Sequence, residues 1–375
     1  MTMMTPTTTT TTTMTTARPW LFSPTLDVVA FVGSVLISVG LVGLAVLTGD
    51  LPLGTHDDDV PLPEWLWIAT VLLVDVAHVW GTAVLIYLDP VERRRRPLLY
   101  GLVPIGALIL GAAIASESEL LWWRLLAYVA VWHFARQQVG FVRLYRGRAA
   151  EQGLWGQLID EGAVYAATLG PVVWWHSRLP VSFHWFIAGD FVVGVPLVVG
   201  DVVLVGTAVW LTAYAVRALS SARQRRQWGR HLLVATTALV WGGGIVAWGN
   251  DLVFTVTNVV AHGLPYVVLV CWTAWRRRTE GVSLSQVARA GAGAIVVALW
   301  AFAFVEEILW DRLIHHERPW LEWAPAVVVG DWRAVLVALL SVPQVTHYVL
   351  DGVYWKRRHH RGLAESLPGS SSTTA

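Results

Sequence analysis

The chain is divided by short polar loops into long apolar segments, and this pattern constrains its fold more than any other feature. About 20 mostly apolar residues are enough to cross a bilayer as a helix. Only 14% of the residues are charged, whereas an ordinary soluble domain carries about 25%. The sequence therefore predicts an all-α, polytopic membrane helix bundle with about ten spans. The predicted spans are 27–48, 64–88, 98–115, 120–142, 158–176, 197–217, 232–249, 252–275, 287–308 and 332–355.

The loops between these segments alternate in charge. Basic clusters follow the even-numbered segments, whereas the intervening loops are acidic or mixed. Positively charged loops stay in the cytoplasm, so both termini are predicted to be cytoplasmic, in the inner membrane of a bacterium. The stretch 181–195 is apolar but short, and we expect it to be interfacial or re-entrant. The basic clusters lie at 93–96, 143–148, 223–230, 276–278 and 356–361.

Composition also divides the chain into a core and two tails. The threonine-rich segment 1–18 and the C-terminal segment 362–375 are predicted to be disordered, leaving a single transmembrane domain at 19–361. Cys271 is the only cysteine, which excludes disulfides and cysteine-rich metal sites within one chain. The basic clusters are short and recur between spans, so the lipid bilayer rather than a nucleic acid is the expected partner.

Four of the even-numbered segments each carry one histidine within the predicted span. The four histidines lie nine to fifteen residues before the next basic cluster, which places them within roughly 9 Å of one another in depth. Parallel helices can then bring four imidazoles to one metal ion, for which neutral imidazole is a good ligand. A hydrogen-bonded packing role is the alternative for any single histidine. The predicted metal ligands are His78, His133, His262 and His347.

Each predicted ligand has polar neighbours on its own helix. A ligating imidazole usually donates its second N–H to a carboxylate, amide or carbonyl, and residues three or four positions apart share a helix face. The predicted supporting residues are Asp75 for His78, Gln137 for His133, Asn258 for His262, and Gln344 or Asp351 for His347.

Three further residues are candidates for catalysis. Tyr266 and Tyr348 could supply a proton or a polar anchor, with interhelical hydrogen bonding as the alternative role, and Asp351 is the third candidate. Arg136 is expected to snorkel, to pair with Asp75 or Asp351, or to bind an anionic head group.

Four motifs around the histidines occur in the order in which similar motifs occur in known proteins. They are "AHVWG" (His78), "WHFARQ" (His133), "AHGLPY" (His262) and "VPQVTHYVLD" (His347). The surrounding segments resemble an uncharacterised family of bacterial polytopic membrane proteins. More distantly, the series resembles the bacterial retinal-forming β-carotene dioxygenases of the membrane. The resemblance implies a histidine-ligated iron in a lipid-facing cavity, without assigning a carotenoid as the substrate.

These observations favour an integral-membrane oxidoreductase or oxygenase with a mononuclear or dinuclear non-haem iron (Fe²⁺) centre, acting with O₂ on a lipid-soluble substrate. An all-nitrogen donor set also suits Cu and Zn, but O₂ and apolar molecules concentrate in lipid, which favours iron. Two other classes stay open. One is a haem-binding electron carrier, with His78 paired to His262 and His133 paired to His347. The other is a proton-coupled transporter, although no inverted repeat is visible. Its proton or ion relay would consist of Asp75, His78, Asp351 and Arg136.

Overall fold

The computed structural model describes residues 19–51, 62–179, 185–279, 285–321 and 329–355. Within these ranges all regular structure is helical and no strand occurs, so the predicted all-α class is confirmed. The long helices of the described residues are α1 Pro24–Thr48, α2 Glu64–Tyr87, α3 Pro97–Glu117, α4 Glu119–Arg148, α5 Leu154–His176, α6 Leu197–Leu219, α7 Trp228–Trp248, α8 Asp251–Thr279, α9 Ala292–His315 and α10 Gly330–Tyr354.

Eight of these helices are long and apolar enough to cross a membrane. The other two, α4 and α5, are of similar length but carry more polar side chains. The ten helices overlap the ten predicted spans, while the number that cross and their orientation stay predictions. The described part of the predicted interfacial stretch, 185–195, contains no helix. The predicted tails, 1–18 and 362–375, lie outside the described residues.

Helix α8 lies at the centre of the bundle. Within its most apolar window 72% of the residues are buried, compared with 17% in α6 and in α9. It packs against α1, α2 and α7, whereas α3, α6 and α9 expose rows of leucine, isoleucine and valine. Such rows suit contact with lipid, because lipid tails are as apolar as these side chains. The position of α8 therefore puts His262 far from the surface of the bundle.

Two glycines allow α2 and α8 to approach closely. A Cβ atom on Gly81 would lie 2.7 Å from Cε1 of Tyr266, and one on Gly263 would lie 2.6 Å from Cγ1 of Val74. No side chain fits at such distances, which is why small residues are common where membrane helices meet. The close approach brings the His78-bearing part of α2 against the His262-bearing part of α8.

Helix α4 docks onto a proline-interrupted turn of α8. Pro265 has no N–H to donate to the carbonyl of Ala261, four residues earlier, and proline in a helix interior disturbs the preceding turn. The side chain of Gln138 donates to the Ala261 carbonyl at 3.5 Å, and Gln137 donates to the His262 carbonyl at 2.8 Å. Neighbouring helices commonly satisfy carbonyls freed by proline in this way. The two glutamines thus set the height of α4 relative to α8.

A buried ion-pair network joins α4, α5, α6 and α7. The Asp160 carboxylate lies 2.6 Å from Arg146, 3.0 Å from Arg217 and 3.0 Å from Arg230. Glu151, in the loop after α4, contacts the same three guanidinium groups. Burial raises the pKa of Glu151, but the hydrogen bond from Arg230 and the three positive charges more than offset this and lower it. Two arginines of the basic clusters that are predicted to set the topology, Arg146 and Arg230, therefore also hold helices together.

The orientation of the bundle is testable with reporter fusions. The alternating basic loops predict that the loop after α4 is cytoplasmic and that Glu317, after α9, is external. A reporter active only in the cytoplasm should work when fused after residue 150 and fail after residue 317. A periplasmic reporter should give the opposite pattern. The reverse result at either position would contradict the predicted orientation.

Candidate metal centre

The structure brings the four predicted histidines into one buried cluster. One ligand nitrogen from each imidazole lies within 4.8 Å of those from the other three. The Nε2 atoms of His78 and His262 are 3.1 Å apart, as are those of His133 and His347. The most exposed of the four, His133, is 8% exposed, and the others are almost completely buried. The four nitrogens therefore face one another in the bundle interior, and within the described part of the chain no carboxylate or thiol is grouped with them.

The spacing of these nitrogens fits one metal ion. Metal–nitrogen bonds of about 2.0–2.1 Å imply nitrogen–nitrogen separations of about 3.4 Å around a tetrahedral ion. The observed separations run from 3.1 Å to 4.8 Å. Two imidazole lone pairs that face each other at 3.1 Å repel unless a proton or a cation lies between them. The cluster can therefore bind a metal ion, and its nitrogen donors alone do not select which one.

A hydroxyl group orients His347. The Oγ1 atom of Thr82 lies 2.9 Å from Nδ1 of His347 and donates to Oδ1 of Asp351 at 3.2 Å. The direct distance from His347 Nδ1 to Asp351 is 3.7 Å, too long for a hydrogen bond. Thr82 therefore accepts the Nδ1–H and passes the interaction to the carboxylate, which leaves the Nε2 lone pair facing the cluster. Tyr266 holds the same Asp351 oxygen with a 3.0 Å hydrogen bond.

Thr82 was not among the residues predicted from the sequence. Its position contains the signal, because it follows His78 by four residues and shares its helix face.

His78 itself lies in a short α-helical stretch, Ala77–Val79, between two stretches of π-helix at Ile68–Val76 and Ala83–Tyr87. Such π-helical turns often occur at functional sites. Its Nδ1 lies 3.7 Å from Oδ1 of the predicted companion Asp75, beyond hydrogen-bond length.

The three predicted amide companions hydrogen-bond groups other than the imidazole rings. Gln137 reaches the backbone of α8, Asn258 donates to the Phe254 carbonyl at 3.0 Å, and Gln344 donates to the Tyr348 hydroxyl at 2.8 Å. In each case the hydrogen-bond partner of the amide N–H is a carbonyl or hydroxyl oxygen. These residues support the site through the helices and aromatic rings around it.

Aromatic rings enclose the cluster. Phe134 stacks on His262 with ring centroids 3.7 Å apart and an angle of 9° between the planes. Tyr348 lies 4.6 Å from His133, and Tyr266 lies 5.2 Å from His347. Tyr348 is therefore next to the most exposed of the four histidines. Tyr266 is instead held by its hydrogen bond to Asp351.

Arg136 does not reach either intramembrane aspartate. Its guanidinium donates to the Tyr165 hydroxyl and lies 5.8 Å from the Trp132 ring, on the side of α4 that faces α5. The cluster consequently receives no positive charge from Arg136. A transporter relay through Arg136, Asp75 and Asp351 gains no support from this placement.

Comparison with known proteins adds no assignment: no family model, curated protein or solved structure matches the chain. The class of protein therefore follows from the fold and the site alone. The chain is a helical membrane protein with a buried four-histidine cluster that can bind a metal ion.

Proposed function

We propose that the protein is an integral-membrane oxidoreductase of the bacterial cytoplasmic membrane that uses histidine-ligated, non-haem iron and O₂ to oxidise a lipid-soluble substrate. The observation that carries this proposal is the convergence of four ligand nitrogens within 4.8 Å in the bundle interior. The four motifs that supply these histidines also support a distant relationship to the retinal-forming β-carotene dioxygenases. That relationship is part of the proposal.

Iron is proposed over copper and zinc because of the surroundings of the site. All three metals accept nitrogen ligands, but zinc has no redox chemistry. An iron ion, when bound by His78, His133, His262 and His347, would supply the binding and activation of O₂. Apolar walls from Phe134 and its neighbours favour O₂ and an apolar substrate, both of which concentrate in lipid, and they keep bulk water away from the ligand nitrogens.

The remaining polar residues have separate roles in this proposal. Thr82 and Asp351 hold His347 with Nδ1 protonated, and Tyr266 holds Asp351, so these three position a ligand. Tyr348 is the residue placed to touch substrate, because its ring lies against His133 on the more open side. Its hydroxyl, accepting from Gln344, keeps its own proton for donation to a substrate oxygen.

The haem alternative fits the geometry less well. Axial histidines of a haem must lie on opposite sides of a porphyrin ring. The expected pairs do exist, but the two Nε2 atoms within each pair are only 3.1 Å apart. Rings of different pairs are in contact as well: the His78 and His347 centroids are 5.0 Å apart, and those of His133 and His262 are 5.1 Å apart. This leaves no space for a macrocycle between the paired histidines.

Metal analysis with an absorption spectrum tests the proposal directly. Protein purified in detergent without chelators should contain about one iron per chain and show no Soret band. A Soret band with no non-haem iron would support the electron carrier instead. Stoichiometric zinc after expression in iron-replete medium would contradict an oxidoreductase function while leaving the metal site intact.

A further inference from the structure

A small cavity lies against His262, between α1, α4, α7 and α8. Its volume is about 10 Å³, and its walls include Gln138 from α4 together with Asn258 and His262 from α8. A buried cavity of about 10–15 Å³ is the smallest that can hold a water molecule, and it does so only where it offers two to four polar partners. The cavity therefore has room for one water molecule.

Three polar atoms on these walls find no hydrogen-bond partner among the described residues. They are Nδ1 of His262, Oδ1 of Asn258 and Oε1 of Gln138. The amide nitrogens of the same two residues already have a partner, since Asn258 donates one N–H to Phe254 and Gln138 donates one to Ala261, whereas their oxygens have none. What each amide offers the cavity is thus an acceptor oxygen. Unpaired buried polar atoms are costly, and three from one cavity indicate a shared partner.

We propose that one ordered water molecule occupies this cavity and bridges the three residues. The water accepts a hydrogen bond from Nδ1–H of His262 and donates its two protons to Asn258 Oδ1 and Gln138 Oε1. Buried waters typically make about three hydrogen bonds, which matches the three atoms left unpaired. Asn258 and Gln138 are then positioning residues that act on His262 through the water.

The water fixes which nitrogen of His262 carries the proton. With Nδ1 protonated towards the water, the lone pair of Nε2 faces His78 and the centre of the cluster. Thr82 does the same for His347 from a different helix. Stacking on Phe134 fixes the plane of the ring but not its tautomer. This consequence rests on the proposed metal site, whereas the presence of the water does not.

The water itself is tested on the unaltered protein. A high-resolution crystallographic or electron cryo-microscopy map should show a density peak at hydrogen-bond distance from all three atoms. An empty cavity in a map that resolves other buried waters would overturn the proposal. If the peak is present but the protein binds no metal, the proposed function fails and the water site stands.

The positioning role is tested with Asn258→Leu and Gln138→Leu, each of which removes the acceptor oxygen, together with the amide donor to α8, at similar side-chain size. Loss of an outer partner of a ligand typically lowers metal affinity by about 10–100-fold, so each variant should bind Zn²⁺, used as a diamagnetic probe, that much more weakly. In metal-free protein, the histidine side-chain ¹⁵N spectrum should also show His262 shifting from the Nδ1–H tautomer to a mixture.

Thr237→Val is the matched control. Thr237 lines the same cavity, but its hydroxyl donates to the Leu233 carbonyl of its own helix at 2.8 Å. The control should keep both the Zn²⁺ affinity and the His262 tautomer of the unaltered protein. Equal losses in the control and the two leucine variants would overturn the positioning role, since packing alone would then explain them. Unchanged affinity and tautomer in both leucine variants would overturn it as well.

Discussion

Replacing any one of His78, His133, His262 and His347 with alanine is expected to abolish stoichiometric metal binding. Each supplies one of four nitrogens that lie within 4.8 Å of one another. Loss of an outer partner already costs about 10–100-fold in affinity, so loss of a direct ligand should exceed about 100-fold. Metal content per folded molecule, measured after size-exclusion chromatography, checks this. Alanine is less costly in lipid than histidine, so membrane insertion should not suffer.

His176→Ala is the matched control for these four variants. His176 is also a buried histidine on a long helix, but it contacts the Tyr128 hydroxyl at 2.9 Å and the Val172 carbonyl at 2.7 Å, away from the cluster. Its replacement should leave the metal content unchanged. If all four cluster variants kept their metal, the histidines would be packing residues and the shared site would be refuted.

Two further variants should weaken metal binding less, because they change residues that hold His347 and not the ligand itself. Thr82→Val removes the hydroxyl that accepts from His347, and Asp351→Asn keeps an acceptor while removing the charge. Both should retain metal but bind it about 10–100-fold more weakly. If Asp351→Asn lost its metal as completely as His347→Ala, Asp351 would bind the ion directly.

Asp160→Asn is expected to cause the largest loss of stability outside the cluster. Its carboxylate is completely buried and contacts three arginines from three helices. Removing one partner of a buried ion pair leaves uncompensated charge and costs about 3–5 kcal/mol. The free energy of unfolding in detergent should fall by about that amount.

Asp201→Asn provides the comparison for this prediction. Asp201 pairs with Arg178 at 2.6 Å, but its side chain is 57% exposed. An exposed pair is worth about 0–1 kcal/mol because water and salt screen it. A similar loss of unfolding free energy in both variants would show that the buried network contributes no more than a surface pair.

The convergence of the histidines was predictable because depth in a membrane helix can be read from the sequence. The basic clusters after α2, α4, α8 and α10 are predicted to mark their cytoplasmic ends, and a fixed rise per residue then gives the height of each imidazole. Which helices lie side by side cannot be read from the sequence of one helix alone. The close contact of α2 with α8 depends on Gly81 and Gly263, whose role appears only when the opposing side chains are known.

The hydrogen-bond partners of the polar residues were also harder to predict, because many of these partners lie on neighbouring helices. A spacing of three or four residues shows that two side chains share a helix face, but not whether a neighbouring helix offers a better acceptor. Gln137 and Gln138 turn to α8 because Pro265 disturbs the turn whose carbonyls they contact. Thr82 contacts His347 across a helix interface, and no spacing within α2 indicates this partner.

The order in which ribosomes make the helices has a consequence for how the site is completed. Thr82 and Asp351 hydrogen-bond across 269 residues of chain. At about 5–20 residues per second, α10 is synthesised roughly 15 to 50 seconds after α2. Once α8 has been made, three imidazoles are in the membrane without His347 and without the carboxylate that holds it. We therefore expect the complete four-nitrogen site to form only after synthesis of α10, and a chain truncated before this helix to insert but to bind metal more weakly.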